Sequence, residues 1–158
     1  MTGKNAKLWA AASAALILAL GGSPARAQVA AIQSQDMNAA GFAADLIEAK
    51  RSDGVLSIKV RLKNIGAKAA RIDIYTFAKL KIGAFYVQAE SKKYFVLRDT
   101  EKVPLAAGDK ETSLSQTVAP GASYIWWAKY PAPPASVKKV SFYWPLGPPF
   151  DDVPITDK

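Results

Sequence analysis

The chain has 158 residues, half of them hydrophobic, and a formal net charge of +8. That is the size of one ordinary domain. It contains no histidine and no cysteine, which removes Ser-His-Asp and Cys-His catalysis, disulfide staples, and metal sites built on imidazole or thiolate. Thioether comes only from Met1 and Met37, so a copper site of the usual kind is not expected either.

The first element is not part of the folded domain. Lys4 and Lys7 precede an apolar run from Leu8 to Leu20, and Ala25-Arg26-Ala27 supplies the small-x-small pattern of a signal-peptidase site, with cleavage before Gln28. The run is too short for a stable membrane anchor, so residues 1–27 read as a signal-peptide helix and the product as periplasmic or secreted. That segment carries three of the 21 basic residues and none of the 13 acidic ones, which lowers the mature charge from +8 to +5. A surplus of this size is far from the dense basic patch of a nucleic-acid binder, but it permits attraction to an anionic envelope polymer.

Residues 28–40, rich in Ala, Gln, Ser and Asn, read as a flexible lead-in or a short edge element. From Gly41 the pattern becomes regular. Asp45–Lys50 runs into Asp53-Gly54, a strong hairpin signal because Gly accepts a positive φ. The returning strand has uninterrupted alternation: Leu56, Ile58, Val60 and Leu62 on one face, Ser57, Lys59, Arg61 and Lys63 on the other. Asn64-Ile65-Gly66 closes it. Further strands are predicted at Ala70–Tyr75, Tyr86–Ala89, Lys93–Arg98, Ser113–Val118, Tyr124–Tyr130 and Val137–Trp144, with a short edge strand at Val153–Ile155 and a tail at Thr156–Lys158. Gly83 marks a bend, Asp99-Thr100-Glu101 and Ala119-Pro120-Gly121 are turns, and Ala106–Lys110 is a loop. Seven to nine short strands with turns every eight to twelve residues are the pattern of an all-β, immunoglobulin-like antiparallel two-sheet β-sandwich over residues 41–156.

Leu56–Gly66 (LSIKVRLKNIG), Tyr94–Asp99 (YFVLRD), Ala119-Pro120-Gly121 and Trp127–Ile155 together resemble blocks of bacterial exported immunoglobulin-like domains and are similar to the DUF4352-type group. These motifs are structural. The resemblance implies an accessory or binding domain of the cell envelope and no particular chemistry.

Catalytic patterns are sparse. Ser136-Val137-Lys138-Lys139 matches S-x-x-K, but that serine–lysine chemistry needs a helix start, whereas in a strand the two side chains stand about 10 Å apart. Asp151-Asp152 offers two carboxylates where a calcium loop brings three or more at alternating positions, so it reads as a turn cap. A carboxylate pair of the glycosidase kind can come from distant segments, and nothing points to one.

Binding signals are stronger. In Tyr124–Tyr130 (YIWWAKY), Trp126 and Trp127 must point to opposite faces of a strand. Trp126, sharing its face with Tyr124 and Tyr130, suits the core. Its partner then either joins Tyr143 in an exposed aromatic platform or lies under a proline-rich loop, Pro131–Pro134 or Pro145–Pro149. Because prolines pack well on aromatic faces, the covered arrangement is favoured. Lys59, Arg61 and Lys63, joined by Arg71 from a neighbouring strand, make a basic stripe that reads first as a solvated face and second as a docking surface for an acidic partner. The surface residues for binding are thus Trp126, Trp127, Tyr143, Lys59, Arg61, Lys63 and Arg71. The chain is expected to be a non-enzymatic binding or interaction module of the envelope, with no cofactor, engaging another envelope protein or an anionic polymer. An inhibitor or immunity-type protein, and less so a carboxylate-based hydrolase, are the alternatives.

Overall fold

In the computed structural model, which describes residues 29–75, 81–108 and 113–158, the Asp53-Gly54 turn sets up the molecule. Both residues have positive φ, 52° and 76°, as the tightest two-residue hairpin requires. The signal segment lies outside the described residues, as do residues 76–80 and part of the loop after Gly108. In chain order the strands are β1 (Gln33–Asp36), β2 (Phe42–Ser52), β3 (Val55–Asn64), β4 (Ala70–Tyr75), β5 (Tyr86–Ala89), β6 (Lys92–Phe95), β7 (Leu114–Val118), β8 (Ser123–Pro131), β9 (Lys139–Tyr143), β10 (Phe150–Pro154) and β11 (Thr156–Asp157). A single 3₁₀ turn, Ile82–Ala84, contains Gly83.

The protein is an all-β sandwich. The first sheet runs β1-β2-β3-β8, the second β10-β9-β5-β6, and β4 and β7 form a small third sheet. All pairings are antiparallel except one: β11 lies parallel to β2, Thr156 opposite Lys50 and Asp157 opposite Arg51. The last residues are therefore a strand and not the expected tail. The lead-in likewise contains an edge strand, β1, held to β2 from Gln33–Leu46 to Asp36–Ala43.

Alternation in β3 is obeyed. Leu56, Ile58, Val60 and Leu62 are fully buried, and their cross-strand partners on β8 are Tyr130, Ala128, Trp126 and Tyr124. Each such aliphatic side chain contributes about 1.5–3 kcal/mol by leaving water. Trp126, only 1% exposed, is the centre of the core. Its indole stacks between Phe85 (4.9 Å) and Phe142 (5.7 Å), and Phe142 in turn meets Tyr130 and Phe150. In β2 the alternation is interrupted by a bulge between Leu46 and Glu48. The extra residue flips the phase, so that Ala49 and Arg51 point inward after Phe42, Ala44 and Leu46.

Both edges of the first sheet are held by side chains and loops. The outer edge of β8 is covered by the segment after β6: Leu97 N–H donates to Lys129 O, Lys129 N–H to Leu105 O, and Ala107 N–H to Trp127 O. Gln33 and Gln35 of β1 donate to the carbonyls of Asp151 and Pro148, tying the first sheet to the end of the second. Asp151 and Asp152 sit in a β10 bulge, where Asp152 takes φ 52°, and do not cap a turn.

Candidate functional site

The register of β2, β3 and β8 lays out the outer face of the first sheet in rows. Lys50, Ser57 and Lys129 form one row, Glu48, Lys59 and Trp127 the next, Asp45, Arg61 and Ile125 a third, and Ala43, Lys63 and Ser123 a fourth. Trp127 is 37% exposed and lines an open depression of about 390 Å³ with Glu48, Ser57, Lys59 and Lys129. No proline lines it, so the expected proline cover is absent. The reason is register: β8 continues to Pro131, placing the turn after it one full row beyond the indole. Among the described residues Trp127 stacks on no other ring and receives no cation, in contrast to Trp126.

The basic stripe is real at Lys59 and Lys63 but altered at Arg61. Lys59 Nζ pairs with Glu48 at 3.0 Å, and Lys63 is exposed. Arg61 faces outward yet is 7% exposed. Its Nε and Nη2 reach Asp45 at 2.9 and 2.7 Å, and Nη1 donates to the Val29 carbonyl at 3.0 Å. The residues before β1 thus cover a guanidinium that alternation alone assigns to water. Burial pushes the Asp45 carboxyl up, but hydrogen bonds from Ser34 and Arg61 and the charges of Arg61 and Lys63 outweigh it, holding the group below the usual carboxylate range. The structure adds Lys50 and Lys129 to the face. The outward positions of β2, β3 and β8 carry five cations (Lys50, Lys59, Arg61, Lys63, Lys129) and two carboxylates (Asp45, Glu48). Among the described residues Lys50, Lys63 and Lys129 have no carboxylate within ion-pair distance.

Three expected members of the surface lie elsewhere. Trp126 is core and not surface. Tyr143 is on the outer face of the second sheet, because its neighbour Phe142 points into the core against Trp126. Trp127 and Tyr143 therefore look away from each other on opposite sides of the sandwich and form no platform. Tyr143 instead stacks on Tyr86 (4.9 Å, interplanar angle 7°), with Phe95 6.0 Å from Tyr86 and Lys93 Nζ 4.5 Å from the Tyr86 ring. Tyr86 and Phe95 are direct cross-strand partners about a two-residue turn, a spacing visible in the sequence that periodicity reading passed over. Arg71 sits on β4, whose strand partner is β7 and not β3. It bonds Asp73 (3.0 Å) and Ser115 (2.8 Å), and the bond from Arg71 holds the Asp73 carboxyl down.

Two residues organise more than the sequence suggests: it assigns Arg51 no role, and Asn64 only that of closing β3. Arg51, 8% exposed, donates to the carbonyls of Pro133, Pro134 and Val137 and pairs with Asp157 at 2.6 Å. Asn64, fully buried, donates to Lys68 O and Val118 O and accepts from Gly66 N–H. Ser136 lies in a turn and Lys139 begins β9, so the S-x-x-K match has no helix to stand on. Glu90 and Asp152 line a depression of about 190 Å³ together with Lys139, which stands 3.9 Å from Asp152; both carboxylates are exposed. Among the described residues no three His, Cys, Asp or Glu side chains converge as a metal site, and no helix is long and apolar enough to cross a membrane.

No family model matches the chain, and neither a curated protein nor a solved structure is significantly similar to it.

Proposed function

We propose that this chain is an exported, non-catalytic binding module of the cell envelope, periplasmic or secreted, that holds an anionic envelope polymer on the outer face of its first sheet. The observation that carries the reading is the setting of Trp127: an indole without a ring partner, in an open depression, on a face with five cations to two carboxylates. An aromatic face accepts the apolar side of a sugar ring or an acyl stem. Lysines around it attract phosphate, sulfate or carboxylate groups at long range. The signal-like first 27 residues support export, and the lack of histidine and cysteine favours a binding role over chemistry.

A sulfated heparin hexasaccharide serves as a soluble polyanion probe. Its affinity, measured by calorimetry, is expected to fall at least tenfold between about 50 and 300 mM salt and at least tenfold in the double variant Lys50→Glu/Lys129→Glu. Binding that ignores both salt and these substitutions would remove the proposal. Export is checked separately by the amino-terminal sequence of the product recovered outside the cytoplasm, which should begin at Gln28.

A further inference from the structure

A second site lies at the other sheet, independent of the Trp127 face. The second sheet ends at β6: among the described residues no strand is hydrogen-bonded to the far side of Lys92–Phe95, and that edge is closed only beyond it, where Leu97 N–H donates to Lys129 O of β8. An antiparallel ladder engages alternate residues of a strand with one neighbour. The two-residue turn Glu90-Ser91 closes on the pair Ala89–Lys92, so the next bonded pair is Val87–Tyr94, and β5 uses Tyr86 and Gln88 toward β9. The main-chain N–H and C=O groups of Lys93 and Phe95 therefore point away from the sheet. They point into a cleft of about 680 Å³ whose opposite wall is Pro131, Ala132 and Pro134. That wall is fixed, since Ala132 N–H donates to Gly54 O at 2.8 Å, and its prolines have no N–H with which to pair with β6 themselves. Phe95, 53% exposed, stands at the cleft with Lys92, Lys93 and Arg98, and among the described residues no carboxylate lines it.

We infer that this cleft takes an extended acidic peptide segment of a partner protein, added to the sheet as a strand beside β6. Main-chain bonds to Lys93 and Phe95 supply the register, the Phe95 ring packs against an apolar side chain of the peptide, and Lys92 and Lys93 meet its carboxylates. A second copy of this chain is a poor occupant. Pairing β6 with β6 would bring two Lys-Lys dipeptides together, the like-charge arrangement by which edge strands resist self-association.

The test uses the mature protein and a fluorescein-labelled nine-residue peptide, Thr-Glu-Glu-Val-Glu-Glu-Val-Glu-Thr, which as a strand presents carboxylates and a valine on each face. The peptide is expected to bind and to slow hydrogen exchange at the Lys93 and Phe95 amides. Methylating the peptide nitrogens that face β6 should weaken it at least tenfold, while methylating the alternate nitrogens should not. Lys93→Pro should also weaken it at least tenfold, with the thermal midpoint lowered no more than in Lys93→Ala, because that N–H makes no bond within the sheet and both variants lose only the ammonium over the Tyr86 ring. Lys92→Glu/Lys93→Glu gives the same loss without touching the backbone, and Lys50→Glu/Lys129→Glu leaves peptide affinity within twofold. The inference is overturned if the peptide fails to bind at 1 mM, if it binds without protecting those two amides, or if the amides become protected with rising protein concentration alone.

Discussion

The outer faces of the two sheets both carry aromatic side chains, and they use them in opposite ways. On the second sheet Tyr143 and Tyr86 stack and Lys93 caps the pair, so these rings satisfy one another, and Phe95 at the end of the row keeps its outer side open. On the first sheet Lys59 pairs with Glu48 and Arg61 with Asp45, and among the described residues Trp127 is left with neither a ring nor a cation. Cross-strand aromatic contacts of the first kind add stability to a sheet, about 0.2–1 kcal/mol for a pair. A lone indole beside pre-paired charges adds little to the fold and keeps its face for something else. Exposure of aromatic surface is therefore a weaker guide to binding than whether the ring already has a partner.

Breaking the contrast at its root means comparing the adjacent tryptophans. Trp126→Ala should cost about 3–5 kcal/mol in denaturant unfolding, the usual range for emptying a large core site, whereas Trp127→Ala, whose indole is 37% exposed, should cost only about 1–2 kcal/mol and act mainly on ligand affinity. Next in size is Arg51→Ala, expected to cost about 2 kcal/mol, since it strips donors from the carbonyls of Pro133, Pro134 and Val137. Exchange of the Lys158 amide, which donates to Arg51 O, should quicken in that variant as β11 loosens. Acid sharpens the charged side of the contrast. Asp45 and Asp157 are both held below their ordinary values, so the stability they supply is complete above about pH 4 and is lost as pH falls through the depressed native values. Asp45→Asn should flatten this acid limb in pH-dependent thermal scans. The smallest effect is expected at Tyr130, whose buried hydroxyl has no hydrogen-bond partner among the described residues: Tyr130→Phe should be neutral within about 0.5 kcal/mol or stabilising.

Much of the fold was legible in β3. Its alternation placed four side chains inward correctly, and pairing with β8 then put Trp126, not Trp127, in the core. What stayed hidden depends on contacts between distant segments. The bulge after Leu46 inverts the phase of β2, and it is this shift that carries Arg51 inside. Arg61 looks solvated until the residues near Val29 are laid over it, 32 positions away in sequence. The carboxy-terminal residues carry no strand signature of their own and become β11 because Arg51 captures Asp157. Of the outer face of the first sheet, Lys59 and Lys63 were legible as an outward stripe and Trp127 only as pointing opposite to Trp126; that the three share one face follows from the pairing of β3 with β8. Lys50 and Lys129 join them only through the register, and Tyr143 leaves because β8 and β9 belong to different sheets.

The most direct measurement follows the indole N–H resonances of the mature protein while the heparin hexasaccharide is titrated in. The Trp127 signal should shift progressively to saturation while those of Trp126 and Trp144 stay in place, and the amides of Lys50, Lys63 and Lys129 should move with it. A Trp127 resonance that does not move, with shifts confined to Tyr86, Phe95 and Tyr143, would put the polyanion on the wrong sheet and contradict the account.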